Sequence, residues 1–335
     1  MGALRVGLVG IGAMGRHHAR VLRELDGVEL AGIADEAGDR YGAAGGVPVV
    51  TSVDELIGLG LDMAVIAVPT AMHEPIALEF AKAGVHTFVE KPIAVDAEAG
   101  QRMVDAFASA GLVGAVGHIE RFNPAVQEMR RRVEAGELGA VYQITTRRQG
   151  PFPARIADVG VIKDLGSHDI DLAGWVADSQ YDTVSAQITR RSGREHEDMM
   201  LAVGRLANGI IVNHVVNWLS PMKERVTVAI GERGALVADT MTSDLTFYAN
   251  GNVPTVWDAV RSFRGVSEGD VTRYAFPKRE PLRVEHEAFR DAVLGTRHET
   301  VTMGDGLRTL QVVEACLTSA ATDQVVRVRH QKPEH

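Results

Sequence analysis

The chain has one cysteine, Cys316, among 335 residues. That excludes an internal disulfide framework and any multi-cysteine zinc or iron–sulfur site. It also lacks a basic excess. Lys and Arg number 35 against 44 Asp and Glu, a formal balance of −9. Nucleic-acid binders normally carry a basic face, so no nucleic-acid partner is expected. No apolar run approaches ~18 residues, so no membrane span is expected either. The first residues show no charged segment with a cleavage site, and Val6 stands where a myristoylation signal has Ser or Thr. A cytoplasmic protein in a reducing compartment is the expectation. His-Glu pairs such as His73-Glu74 and His286-Glu287 lack the second histidine of a zinc-binding HExxH, so no metal is expected.

Glycine is in excess, 35 of 335, against a usual ~7%. Tight turns or close backbone approaches should therefore be found. The length suggests about two domains at ~150 residues each. In the first, short apolar runs (Leu4–Val9, Val28–Ala34, Asp62–Val68, Val85–Val89, Leu112–Val116) alternate with amphipathic stretches (Met14–Leu25, Val53–Ile57, Glu74–Ala83, Ala97–Ala110). That texture reads as βαβ units on a parallel sheet buried on both faces. Asp96 is placed to cap the last of these helices. After residue 118 the texture changes. Helices are expected over Pro124–Glu134 and Asp164–Val176. Strands are expected over Ala140–Arg148, Thr183–Thr189, Met199–Leu206, Ile210–Trp218, Arg225–Ile230 and Ala235–Ala238. Consecutive strands joined by turns such as Asn208-Gly209 indicate a mostly antiparallel sheet. Two late helices, Leu282–Leu294 and Gly304–Ala320, precede a short run Val325–Val328, and residues 250–281 read as a long loop. The expected division is 1–118 and 119–330.

The run Leu4–Val9 leads into GIGAMG, with Gly10, Gly12 and Gly15, and then into a helical pattern. This is the spacing of a dinucleotide fingerprint. The first glycine permits the turn, the second lets the pyrophosphate approach the backbone, and the third lets helix and strand pack closely. The loop Gly10–Gly15, Ala13 and Met14 included, would present a helix N-terminus to the phosphates. Asp35 lies 20 residues past Gly15, at the end of the next strand-like run. It is placed to accept from the ribose hydroxyls, with Glu36 adding charge against a 2′-phosphate, so NAD is expected over NADP. The alternative is an ordinary turn aspartate.

A dehydrogenase needs a group that takes the hydroxyl proton. Two segments offer one. Glu90-Lys91-Pro92 follows an apolar strand, where Lys91 would stand at the carboxyl edge of the sheet, although strand-end lysines are usually just solvated. In KDLGSHDIDLAGW, residues 163–175, helical spacing puts Asp164, His168 and Asp171 on one face. An Asp–His pair can orient an imidazole. The bland reading is helix-start acids beside a structural histidine. Cys316, in an apolar helix pattern, reads as a core residue.

Taken together, GIGAMG, EKP at 90–92 and Asp164-x-Gly166-x-His168 resemble the glucose–fructose oxidoreductase, inositol dehydrogenase and rhizopine catabolism family, Gfo/Idh/MocA. The resemblance covers nearly the whole chain. It implies an α/β fold, with an N-terminal Rossmann doubly wound parallel sheet. A C-terminal α+β domain would be built on an open, mostly antiparallel sheet that forms a homodimer or homotetramer. It implies Lys91, Asp164 and His168 as catalytic and substrate-binding, and Glu90 and Lys91 beside the cofactor. His168 would be the acid–base group, oriented by Asp164, with Lys91 polarising the hydroxyl or sharing its proton. Residues 117–126, 147–171 and 217–225 are similar to UDP-N-acetylglucosamine 3-dehydrogenases and related nucleotide-sugar members. That likeness implies Arg121, Asn123, Arg155 and Trp218, with Asn217, Lys223 and Arg225, as substrate contacts. The expected activity is oxidation of a secondary ring hydroxyl of a nucleotide sugar. The alternatives are a free cyclitol or monosaccharide dehydrogenase, and a silent regulator, which would tend to lose Lys91 or His168.

Overall fold

Apolar runs bounded by glycine and charge become strands, and the amphipathic stretches between them become helices. The computed structural model describes residues 2–153, 159–251, 269–296 and 299–329. The chain divides into two units, Met1–Ile119 with Glu280–Glu314, and Glu120–Arg279 with Ala315–His335.

The first unit holds six strands: β1 (Leu4–Val9), β2 (Val28–Ala34), β3 (Val49–Val50), β4 (Met63–Ile66), β5 (His86–Glu90) and β6 (Gly114–Gly117). They lie in the order β3-β2-β1-β4-β5-β6, and every pairing is parallel. The helices α1 (Gly15–Arg23), α2 (Val53–Ile57), α3 (His73–Lys82) and α4 (Ala97–Ser109) connect them. All four residues of β4 are buried. Ala64 and Ile66 join one apolar cluster with Phe80 and Met103, while Met63 and Val65 join another with Leu22 and Phe88. Both sheet faces are thus covered, which explains runs without polar alternation. The Asp96 carboxylate accepts from Ala99 N at 2.8 Å and caps α4, as expected. The chain runs outward from β1 and then returns to place β4 beside it. This opens a crevice at the carboxyl ends of those two strands.

One expectation is corrected. The division at 118/119 assigned the late helices to the second domain, but residues Glu280–Glu314 belong to the first unit. The reason is apolar burial. Phe289 of α7 (Pro281–Val293) joins one cluster, and Met303 and Leu310 of α8 (Met303–Thr322) join the other.

Among its described residues the second unit contains α5 (Pro124–Glu134), α6 (Ser167–Val176) and nine strands. These are β7 (Val141–Pro151), β8 (Tyr181–Thr189), β9 (Met199–Leu206), β10 (Ile211–Asn217), β11 (Leu219–Gly231), β12 (Gly234–Asp239), β13 (Asp244–Ala249), β14 (Val271–Tyr274) and β15 (Val326–Arg327). Their order is β14-β13-β12-β11-β7-β10-β9-β8-β15, with only the β7–β10 pair parallel. Exposure alternates along β9, so one face is buried and one is open. β13 and β14 were not expected; β14 falls where a long loop was read. Of that loop, residues 252–268 lie outside the described residues. No helix among the described residues is long and apolar enough to cross a membrane.

In this sheet His214 is buried, with Nδ1 2.7 Å from Thr146 Oγ1 and Nε2 2.8 Å from Tyr181 Oη. Burial pushes its pKa down to about 4. The unfolded chain, titrating near 6.5, then binds a proton that the folded chain refuses. This contribution is therefore present above pH ~6.5 and is lost as pH falls toward 4. Between pH 7.5 and pH 5 the expected loss from this site is roughly 2 kcal/mol at ~1.36 kcal/mol per pKa unit. Urea unfolding at both pH values should show a smaller acid loss in His214→Gln than in the parent; equal losses would refute the assignment.

Candidate functional site

The crevice between β1 and β4 is where the glycine loop sits. Gly10 has φ +86°, and a Cβ there would meet Ala67 O at 2.6 Å. A Cβ on Gly15 would come within 1.9 Å of Gly10 O, so only glycine allows α1 to start this close to β1. At Gly12 a Cβ would meet nothing within 4 Å. Its bare backbone instead leaves room for a ligand's approach. Helix α1 begins without a side-chain cap and without an acid in its first turn. Its positive end is therefore left to an anion.

Next to this loop is a cavity of about 640 Å³, lined by Gly10, Gly12 and Asp35 among others. Asp35 Oδ2 accepts from Ile11 N and Oδ1 from Ala37 N, both at 2.9 Å. The carboxylate is thus both a turn acid and a cavity wall, and each oxygen keeps lone-pair capacity for a hydroxyl donor. Glu36, Asp54 and Glu79 also line the cavity, while no lysine or arginine does so among the described residues. A glycine cradle, an uncapped helix start and a fixed acid fit a dinucleotide with a free ribose 2′-hydroxyl.

Lys91 follows β5 directly and is half-buried, and its peptide bond to Pro92 is cis. The side chain of Glu90 does not line the cavity. Its Oε1 lies 2.9 Å from His18 Nε2, and its Oε2 accepts from Lys91 N at 3.1 Å. Burial opposes ionisation of this carboxyl, but the hydrogen bond and charge of His18, with Lys91 adding, hold its pKa below the usual range.

Asp164 and His168 lie on one continuous helix, but not a regular one. Ile162–Gly166 forms a π-turn that runs into α6. Such turns insert a residue and are frequent at functional sites. Asp164 is buried within the π-turn, and His168 is half-buried in the first turn of α6. The Glu197 carboxylate accepts from Ile162 N at 3.1 Å, and the Glu197 backbone carbonyl accepts from Val161 N at 3.0 Å. A Cβ on Gly160 would lie 1.9 Å from Glu197 Oε1, so the glycine makes room for this helix-start anchor.

The expected substrate residues of the second unit are largely paired or packed within it. Arg121 forms a bidentate pair with Asp171 at 2.6 and 2.7 Å. Asn123 caps α5 by accepting from Ala125 N, and its amide donates to Thr240 O. Trp218 is 4% exposed and packs against Phe152 at 5.2 Å between ring centroids. Asn217 closes the turn to β11 by accepting from Ser220 N at 2.9 Å. Arg225 donates to Gln149 O and Glu224 O. Lys223 is exposed. Arg155 lies outside the described residues. One residue was missed. Arg148 of β7 is buried between Asp169 at 2.6 Å and Glu120 at 2.7 Å. Its signal was an arginine in the inward register of β7, in step with Ile144 and Thr146.

Residues 4–118 match the model of an oxidoreductase family with an NAD-binding Rossmann fold (GFO_IDH_MocA), and residues 126–237 match the GFO/IDH/MocA C-terminal domain. Inositol 2-dehydrogenase 2 of Saccharopolyspora erythraea is 28% identical over 339 residues, covering 97% of this chain and 95% of its own. UDP-N-acetylglucosamine 3-dehydrogenase of Acidithiobacillus ferrooxidans is 30% identical over 319 residues, covering 94% and 95%. A solved structure of UDP-N-acetylglucosamine 3-dehydrogenase GnnA from that species aligns with a TM-score of 0.83 at 27% identity. That alignment covers 97% of this chain and 100% of the other.

Proposed function

Because the chain belongs to the Gfo/Idh/MocA oxidoreductase family, we propose that it oxidises a secondary ring hydroxyl of a sugar to a ketone, specifically the 3-hydroxyl of a UDP-linked hexosamine. The chain is an NAD-dependent oxidoreductase of a sugar and cyclitol dehydrogenase family. When bound, NAD supplies the hydride acceptor. The glycine loop and Asp35 hold it. His168 takes the hydroxyl proton, Asp164 orients the imidazole, and Lys91 polarises the hydroxyl oxygen or shares the proton. The observation that carries this reading is the π-turn. It sets a buried carboxylate and a half-buried imidazole on successive turns of one helix. Oxidation and the reverse reduction use the same groups.

The likeness to UDP-N-acetylglucosamine 3-dehydrogenase supports the nucleotide sugar. The second reading, a free cyclitol such as inositol, has its own support. Arg121 and Asn123 are tied within their unit, which leaves fewer donors for a diphosphate, and an inositol dehydrogenase is about as similar. NADH production from UDP-N-acetylglucosamine against myo-inositol separates them. A higher kcat/KM for the nucleotide sugar supports the first reading, and a higher value for inositol replaces it.

The acid-lined cavity predicts coenzyme preference. Asp35→Ser with Glu36→Arg should move the kcat/KM ratio toward NADP, because a hydrogen-bonding acid becomes a neutral side chain and its neighbour an arginine. An unchanged ratio would remove Asp35 from the ribose site. The open sheet face carries Leu201, Val203 and Ile230 exposed. Exposed apolar side chains on an open sheet face support a homodimer or homotetramer. A monomer in light scattering at micromolar concentration would rule that out. A cytoplasmic location is part of the same reading.

A further inference from the structure

Among its described residues the first unit buries four histidines that the proposed chemistry does not use: His18, His73, His118 and His286. Two of them form a chain that ends on Lys91. His286 Nε2 on α7 lies 2.8 Å from His18 Nδ1 on α1. His18 Nε2 lies 2.9 Å from Glu90 Oε1, and Glu90 Oε2 accepts from the Lys91 amide at 3.1 Å. The carboxylate has little freedom to swing, since even a Cβ on Gly117 of β6 would lie 3.1 Å from Oε2. Phe88 packs on both rings, at 5.8 Å from His18 and 5.3 Å from His286. Past Lys91, His73 Nδ1 lies 2.9 Å from Pro92 O and continues the support on the other side of the lysine.

The tautomers follow from the chain itself. An ionised Glu90 can only accept, so His18 Nε2 carries the hydrogen. In a neutral His18 ring, Nδ1 then accepts from His286 Nε2–H. This order matches burial, which holds the His286 ring in its neutral form. Ionisable groups removed from water are costly. If only volume were needed here, apolar side chains would fill it at less cost. Instead the chain terminates at the backbone of the residue proposed for the chemistry.

We propose that His18 is a positioning residue. Acting through Glu90, it fixes the backbone of Lys91 and so the place its ammonium reaches, while Glu90 sets the His18 tautomer and His286 donates to the other ring nitrogen. Glu90 thereby serves Lys91 rather than touching the cofactor. This inference rests on the reading of Lys91 as catalytic.

The test compares His18→Leu and His18→Gln, with Lys91→Ala in parallel, by kcat, sugar KM and NADH fluorescence titration. His18→Leu should lower kcat roughly 10–100-fold, since a misplacement near 1 Å can cost ~10²-fold. NADH affinity should hold, and His18→Gln, which keeps a donor for Glu90, should recover most of the loss. The inference is overturned by full kcat in His18→Leu, by NADH affinity falling in step with kcat, or by a glutamine variant no better than leucine. If His18→Leu does not fold, Glu90→Gln takes its place. It keeps the shape and an acceptor for the Lys91 amide. It should lose kcat while keeping NADH affinity, and a full kcat again overturns the inference. An active Lys91→Ala removes the underlying reading of the site. An inactive Lys91→Ala beside a fully active His18→Leu sinks this inference alone.

Discussion

Lys91→Ala is expected to lower kcat by ~10²–10⁴-fold, the range for a positioned acid–base group, while NADH binding stays near the parent value. The split follows from placement. Lys91 is outside the lining of the glycine-loop cavity that holds Asp35, so removing its side chain leaves those contacts in place. Lys91→Arg sharpens the result. Arginine keeps the positive charge but does not give up a proton near neutral pH. If Lys91 acts only by polarising the oxygen, Lys91→Arg should retain part of the activity. If it carries the proton, the arginine variant should be as inactive as alanine. His168→Asn, measured over pH, completes the comparison. Turnover retained in Lys91→Ala would remove this residue from the mechanism.

The cofactor side of the site was legible because its determinants are local. The run Leu4–Val9 and the glycines after it are read within a dozen residues; Gly10 and Gly15 are required by contacts inside that loop or with the adjacent β4 end, and Gly12 leaves its backbone open to a ligand. The acid–base residues were legible as a spacing, but their backbone was not. The π-turn at Ile162–Gly166 shifts hydrogen bonds by one residue, and hydrophobic periodicity does not record such a shift. β13 escaped notice because it is a half-buried strand close to the sheet edge, where polar and apolar residues mix. The return of Glu280–Glu314 to the first unit, and the pairing of His18 with His286, are contacts between distant segments. His18, between His17 and Ala19, and His286, between Glu285 and Glu287, carry no local mark of that partnership. The inward arginine of β7 did carry such a mark, since charge in the buried register of an alternating strand demands a partner.

Arg148→Met is therefore expected to destabilise the second unit by about 3–5 kcal/mol, the cost of breaking a buried ion pair by removing one partner. Arg148 is 3% exposed and holds Asp169 at 2.6 Å and Glu120 at 2.7 Å. Burial opposes its charge, but the two carboxylates outweigh burial and raise its pKa. The two acids respond differently. Burial also opposes ionisation of Glu120, but Arg148 overcomes it and the pKa falls. At Asp169 burial dominates and the pKa rises in spite of Arg148. Removing the guanidinium would strand both acids, and Asp169 would take up a proton sooner than Glu120. Arg225, half-buried nearby, adds charge toward Glu120, but its Nη1 already donates to Gln149 O and Glu224 O. Since Asp169 directly follows His168, the pair also ties the first turn of α6 to β7. Activity should therefore fall with stability. Urea unfolding of Arg148→Met beside a triple variant, Arg148→Met with Glu120→Gln and Asp169→Asn, decides the cause. The triple variant should recover much of the loss, because no charge is left stranded. A single variant as stable as the parent, or a triple variant no better than the single, would mean that Arg148 contributes shape rather than charge.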